Sequence, residues 1–527
     1  MITGKQLIGF SKIGDTGAAF STSENINGSG EAVSFYEAND VNVDEAIQKA
    51  IVAFETYSHT SASEKVSFLE KIAEEIVSLG SMLIDVTKQE TSLPQPRLEG
   101  ELQRTLNQIK LFVNLLKDGS WVNAIIDTAQ PERVPLPKAD IRQMQVPLGI
   151  VAVFGASNFP YAFSVAGGDT VSAFAAGCPV VCKAHPAHPA TSELVGDCII
   201  RAAQATGMPE GIFSLLQGAG YALSNNIVKH PGISAVAFTG SFQGGNALYE
   251  VASKREIPIP VYAEMGSINP VFVLPGMLTQ KRESIATALA ASNMLSAGQF
   301  CTNPGVITSI KSKEADEFTD TFSASVGAAN SDVMLTEKIY TSYSSGVERL
   351  KKINELSMVK QGLDSGKANS AIPHVFETTG TFFEDHEELY EEIFGPASIH
   401  VKADNKDQVF SIAKKLPGQL TATVWATDED IKEYAELFKI LEKKVGRIIL
   451  NGAPTGVEVT HAMVHGGPFP ATTDSRSTSV GTNAIYRFTR ALCFQNYPQT
   501  LLPQELQNGN KNKIWRRVNG SLTNETI

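Results

Sequence analysis

Between residues 149 and 263 the chain repeats one rhythm, and that rhythm limits its fold more than any other feature. Five short apolar runs, at 149–154, 179–183, 212–216, 235–238 and 260–263, alternate with helical patterns at 166–176, 191–205 and 241–253. The runs are apolar throughout rather than on alternate residues, which predicts strands buried on both faces. Strands of that kind, joined through helices, form a parallel sheet with helices packed on both sides. Such a sheet binds ligands at the carboxyl ends of its strands, so the loops that follow residues 154, 183, 238 and 263 are the places to look for chemistry.

A chain of 527 residues exceeds what one core supports and predicts two or three domains. Residues 42–81 read as helical, with Ser61-Ala62-Ser63-Glu64 a capping box before Phe68, Ile72 and Ile76, which stand four apart on one face. A second long helix is expected over 98–116. Residues 120–145 break this pattern: Pro131, Pro135 and Pro137 exclude a helix, and 141–146 alternates like a strand. A second α/β region spans 270–464. The apolar, aromatic stretch 475–502 lacks helical period and is expected to pair with 120–145, in the same subunit or a neighbour. The first 40 residues, rich in Gly, Ser and Asn, read as an arm or short strands.

Hydrophobic residues make up 43% and charged residues 19%, ample for a large core. The net charge of −12 is spread along the chain, which argues against a nucleic-acid partner. No run of about 18 apolar residues marks a membrane span. The beginning, MITGKQLIGFSKIG, has no charged-then-apolar leader pattern. Five cysteines, Cys178, Cys182, Cys198, Cys301 and Cys493, are odd in number and sparse. They predict no disulfide framework and fit a reducing cytoplasm. No Cys or His spacing suits a metal site.

Two short segments carry chemistry. Ser296-Ala-Gly298-Gln-Phe-Cys301 reads as the end of a helix followed by an exposed thiol. Ala263-Glu264-Met-Gly266 places a carboxylate at the end of a strand, 37 positions earlier. A thiol nucleophile needs a base, for itself or for the water that resolves its adduct. Together the two suggest covalent thiol catalysis on a carbonyl. A third segment bears on cofactors. Gly218-Ala-Gly220 begins a dinucleotide fingerprint, but Leu223 stands where the third glycine belongs. Phe238-Thr-Gly240-Ser241-Phe-Gln-Gly-Gly245 instead opens a helix after a strand, where free N–H groups suit a phosphate.

At this point the chain resembles the aldehyde dehydrogenase superfamily, over roughly residues 40–500. Six motifs stand in the family's order: Asn158-Phe-Pro160, Lys183, Phe238-Thr-Gly-Ser241, Glu264-Met-Gly, Gly298-Gln-x-Cys301 and Glu391-Glu-Ile-Phe-Gly-Pro396. The resemblance implies two parallel-sheet α/β domains with a small extended β element for oligomerisation. Residues 1–120 and 146–268 would bind the nucleotide, 269–470 would carry the nucleophile, and 121–145 with 471–510 would form the oligomerisation arm and tail of a homodimer or homotetramer. It also implies roles. Cys301 would attack an aldehyde, Asn158 would hold the oxyanion, and Glu264 would activate water. Lys183 and Glu392 would hold the cofactor riboses, Phe394 would flank the nicotinamide, and Gly240, Ser241 and Gly245 would form the phosphate turn.

The departures narrow the branch. Ser157 replaces the usual Trp, and Glu264-Met-Gly-Ser-Ile268 replaces Glu-Leu-Gly-Gly-Lys. Pro186 stands where NAD-preferring members often carry a Glu, with His185 and His188 beside it, so NADP is favoured over NAD. These features, with 470–482, resemble the α-ketoglutaric semialdehyde (2,5-dioxovalerate) dehydrogenases. Long-chain or general aldehyde oxidation is the alternative. An acid-bearing substrate needs a cation, and Arg476 is the candidate.

Overall fold

A computed structural model describes residues 2–14, 18–21 and 32–527; the parts of the expected N-terminal arm at 1, 15–17 and 22–31 lie outside the described residues. The βα rhythm folds as one seven-stranded sheet. Its order is Val261–Glu264, Ile233–Thr239, Ile150–Phe154, Val180–Lys183, Phe213–Leu216, Gln6–Ile8 and Ser11–Ile13. The first five strands are parallel, and all five residues of Ile150–Phe154 are buried. Gln6–Ile8 runs antiparallel to Phe213–Leu216, and Ser11–Ile13 runs antiparallel to Gln6–Ile8. Part of the N-terminal stretch therefore completes the sheet. Two three-residue strands are too short to show a period in sequence.

Helices cover both faces. Asp40–Tyr57 and Ala62–Ser78 begin at side-chain caps, and the second is the expected capping box. There Ser61 Oγ accepts from the Glu64 N–H, and Glu64 Oε2 accepts from the Ser61 N–H at 3.0 Å. Helix Gln95–Asp118 is longer than expected, because Pro96 sits in its first turn, where the missing N–H costs nothing. Gly220 caps Tyr221–Lys229, and a Cβ on Gly218 would meet Leu223 at 2.6 Å. The incomplete fingerprint is thus a tight strand-to-helix packing turn.

The second α/β domain holds another seven-stranded sheet, ordered Ser357–Gln361, His374–Thr379, Ala397–Ala403, Val306–Ile310, Val271–Val273, Gln419–Trp425 and Val445–Leu450. All neighbours are parallel except the first pair. Each domain has its own apolar core.

A third sheet of five strands stands apart from both. Thr489–Gln495 pairs antiparallel with Ile141–Pro147, within one chain, in register from Ile141 opposite Gln495 to Pro147 opposite Thr489. Ile125–Asp127, Arg516–Val518 and Ser521–Thr523 extend it. The segment 471–510, read from sequence as one tail, is divided. Its first part lies against the strand of Glu264, and only 489–495 joins this sheet. Among the described residues no helix is long and apolar enough to cross a membrane.

Candidate active site

The carboxyl ends of the first sheet and the loop before strand Val306–Ile310 face each other, and Cys301 lies between them. The loop that carries it is strongly shaped. Helix Pro275–Met294 ends, and Ser296 and Ala297 take left-handed conformations at φ 50° and 55°, uncommon for residues with a Cβ. Gly298 follows at φ 65°; a Cβ there would meet the Gly395 carbonyl carbon at 2.4 Å. The Gly-Gln-x-Cys and Phe-Gly-Pro motifs therefore require each other. Asn269 Nδ2 secures the far side, donating to the Cys301 carbonyl at 2.8 Å and to that of Asn303 at 3.0 Å.

Sequence reasoning placed the thiol at the surface. It is half-buried, because Glu264 and His465 stand over it. His465 Nε2 lies 3.3 Å from Cys301 Sγ and 2.9 Å from Glu264 Oε1. Ser479 Oγ donates to Glu264 Oε2 at 2.8 Å. Both carboxylate oxygens are thus held, as a buried charge requires. One imidazole nitrogen serves both neighbours. With its proton on Nε2, His465 donates to the carboxylate and cannot also accept the thiol proton. His465 thereby orients Glu264, whose carboxylate is left as the base for water. The ligand atoms of Glu264, Cys301 and His465 lie within 4.8 Å of one another.

Charge follows from this arrangement. Burial would raise the Glu264 carboxyl, but the imidazole and the hydrogen bonds of His465 and Ser479 hold it below its ordinary value. It is ionised throughout the neutral range. Burial first, and then the Glu264 carboxylate, push the Cys301 thiol well above its ordinary value. At rest the thiol is neutral, so attack on a carbonyl must be coupled to loss of its proton.

Two donors flank the thiol. Asn158 is buried, and its Nδ2 donates to the Gln299 carbonyl at 3.0 Å, which leaves its second N–H free. The backbone N–H of Cys301 has no acceptor among the described residues. A pair of such donors is what a developing oxyanion needs.

Of the positions expected to hold a cofactor, Lys183, Gly240, Ser241 and Gly245 lie on the first sheet's side, and Glu392 and Phe394 precede the second-sheet strand Ala397–Ala403. The Lys183 ammonium ends its strand, buried, with no hydrogen bond or ion pair to any described residue. Burial lowers its pKa to about 8. An unpaired ammonium beside a sheet's carboxyl edge fits ribose hydroxyls. Ser241 caps helix Phe242–Ser253, its Oγ accepting from the Gly244 N–H at 3.2 Å. A Cβ on Gly245 would meet Met265 at 2.7 Å, and one on Gly240 would meet the Phe238 ring at 2.7 Å, so the helix start packs tightly beside the Glu264 strand. Glu392 and Phe394 line one cleft with Ser267, Gly298 and Asn303. Burial raises Glu392 to about 8.

Other expected residues stand differently. Pro186 is exposed. His188 is fully buried, its Nε2 3.0 Å from the Ala156 carbonyl and its Nδ1 3.2 Å from Ser192 Oγ. It ties a loop to a helix. His185 stacks on His188, and burial holds its pKa well below the ordinary value, so it offers no positive charge to a phosphate. Arg476 lies outside the site: its side chain is 91% exposed and contacts Asp474 at 3.3 Å. His465 and Ser479 were missed in the sequence. Their one signal was a run of Gly, Pro, Ser and Thr over 466–482, too loose for a helix and too polar for a buried strand.

A family model described as the aldehyde dehydrogenase family matches residues 20–468. The chain belongs to that family. An α-ketoglutaric semialdehyde dehydrogenase of Acinetobacter baylyi is 46% identical over 490 residues, 93% of each chain. α-Ketoglutaric semialdehyde dehydrogenase 2 of Azospirillum brasilense is 44% identical over 520 residues, covering 98% of this chain and 99% of its own. The fold is also that of a Staphylococcus aureus betaine aldehyde dehydrogenase solved with NAD+, at TM-score 0.79 and 17% identity over 95% of this chain and 96% of that one. A 1-pyrroline-5-carboxylate dehydrogenase superposes at TM-score 0.77 and 20% identity, over 93% and 92%. As a member of this family, the protein is an NAD(P)-dependent aldehyde dehydrogenase.

Proposed function

We propose that this aldehyde dehydrogenase oxidises 2,5-dioxopentanoate to 2-oxoglutarate through a thioester on Cys301. One observation carries the chemistry: the Cys301 thiol lies against an ionised carboxylate whose two oxygens are both held. Near full-length similarity to two enzymes named for this semialdehyde supports the substrate.

In this reading the Cys301 thiol gives its proton to water, and the thiolate so formed attacks the aldehyde carbon. The oxyanion forms against the free Asn158 amide N–H and the Cys301 backbone N–H, where one donor is worth about 10²–10³ in rate. The dinucleotide, held by Lys183, the helix start at Ser241 and Glu392, supplies the hydride acceptor. Glu264 then takes a proton from water, and the hydroxide resolves the thioester. The test is a panel of aldehydes with each cofactor, followed by reduced-nicotinamide absorbance. 2,5-Dioxopentanoate should exceed pentanal and dodecanal in kcat/KM by at least about 10-fold, the scale of one charged contact. A preference for dodecanal would overturn the substrate.

The cofactor preference rests on Pro186. With no carboxylate there, residue 186 does not repel a ribose 2′-phosphate, and NADP+ should serve at least as well as NAD+. Pro186→Glu should impair NADP+ selectively, because a carboxylate a few ångströms from a phosphate costs on the order of 1–4 kcal/mol at surface to intermediate dielectric. The ratio of kcat/KM values for the two cofactors, before and after the change, decides it. A ratio unmoved by the substitution would show that residue 186 does not face the 2′ position.

A further inference from the structure

Helix Gln95–Asp118 presents Arg97, Glu101 and Arg104 at spacings of four and three, on one face. That face looks toward the aromatic cluster around the thiol. The Arg97 guanidinium lies 5.0 Å from the ring centre of Phe159 and 4.7 Å from that of Phe300. The Arg104 guanidinium lies 5.3 Å from Phe159 and 4.9 Å from Phe163. Phe159 follows Asn158, and Phe300 precedes Cys301. Both cations therefore stand one side chain away from the reacting atoms.

Neither cation is ion-paired, although the charge of the buried Glu101 between them acts on both. Among the described residues no carboxylate oxygen lies within ion-pair distance of Arg97 or Arg104. Glu101, between them, hydrogen-bonds to neither: its Oε1 accepts the backbone N–H groups of Tyr161 at 2.8 Å and Ala162 at 3.0 Å, and its Oε2 is buried without a partner. Arg97 uses Nη2 on the Asn158 carbonyl at 2.7 Å, while its Nη1 is buried without a partner. Arg104 makes no hydrogen bond to any described residue, and its Nε is buried and unpartnered. Cation–π contact offsets part of this desolvation. Two buried guanidinium groups share the single Glu101 carboxylate, so one positive charge is left without its own anion, an unmet cost. Arg447, whose charge also reaches Cys301, has a buried, unpartnered Nε too, but its Nη2 is held by the carbonyls of Pro454 and Gly456, whereas Arg104 makes no hydrogen bond to any described residue.

We propose that Arg104, assisted by the free Nη1 of Arg97, is the subsite for the carboxylate of an acid-bearing aldehyde. The planar fork of a guanidinium matches a carboxylate, and the phenyl rings between the cations and the thiol suit a short methylene chain. Arg97 also fixes the loop of Asn158, so Arg104 is the cleaner residue to change. This inference rests on the oxidation of an acid-bearing aldehyde proposed above, and the test separates the two.

Wild-type enzyme and Arg104→Leu are compared with 2,5-dioxopentanoate and with pentanal. The ratio of their kcat/KM values, acid over neutral, should fall on the order of 10²-fold in the variant. The loss should appear mainly in KM, since the carboxylate does not change during reaction, and Arg104→Lys should recover part of it. Glutarate, a dead-end diacid measured by calorimetry, should bind Arg104→Leu about 10-fold or more weakly than wild type. If Arg104→Leu does not fold, Arg104→Gln is carried through both measurements. A wild type indifferent to the carboxylate would overturn the substrate reading. A wild type that prefers the acid, with variants that keep that preference and bind glutarate equally, would overturn the subsite alone.

Discussion

Cys301→Ala should lower aldehyde oxidation by at least about 10⁴-fold, the scale seen when a covalent nucleophile is removed. The fold should be untouched. The loop is held by Asn269 on the Cys301 carbonyl and by Gly298 against Gly395, and neither contact uses the thiol. Cofactor affinity, read by fluorescence titration with the reduced dinucleotide, should also stay near the wild-type value. Cys301→Ser should be nearly as inactive, because a hydroxyl beside an ionised carboxylate is a far weaker acid than a thiol. The other cysteines offer no substitute. Cys178, Cys182 and Cys198 are buried, and burial raises their pKa values to about 11, 12 and 12; Cys493 is exposed on the strand Thr489–Gln495 of the third sheet. Full activity in Cys301→Ala would end the covalent mechanism.

Glu264→Gln separates the two halves of the reaction. The amide can still accept from His465 or Ser479, so the site should keep its shape. Removing the negative charge takes away one of the influences that push the thiol up, so more of it is ionised at a given pH. Acylation should therefore survive, and mixing with aldehyde and oxidised cofactor should give a burst of about one reduced cofactor per site. Hydrolysis then lacks its base, and steady turnover should fall by about 10²–10⁴-fold. Stopped-flow absorbance measures both phases. Loss of the burst together with the steady rate would mean that Glu264 also removes the thiol proton.

What the sequence revealed depended on how far each signal reaches along the chain. The five apolar runs are local, and each became a strand of the first sheet. The motifs around Asn158, Glu264 and Cys301 are local as well, and the three converge on one site. His465 and Ser479 carry no local signal. They matter because residues 465–479 lie against a strand some 200 positions earlier, a contact that no spacing announces. Arg97 and Arg104 look like the solvated face of an amphipathic helix; only the rings of Phe159, Phe163 and Phe300 on the other side show otherwise. Arg476 misled for the opposite reason. Its neighbours resemble a branch motif, yet the side chain points outward.

The strand that ends in Glu264 has a second neighbour besides Ile233–Thr239. Glu264 bridges to Thr472, Met265 N–H donates to the Ala471 carbonyl at 2.8 Å, and Thr473 N–H donates to the Ala263 carbonyl at 3.2 Å. The same segment carries His465 and Ser479, whose backbones are joined by a 2.9 Å hydrogen bond from Ser479 N–H to the His465 carbonyl. The base and the groups that aim it are thus clipped together as one ruler, marked off in residues. A relative could replace many side chains between 466 and 478 and keep the device. It could not add or remove one residue there without moving His465 or Ser479 off the carboxylate, because facing strands change sides with every step. In this family member the count of peptide units is itself part of the catalytic apparatus.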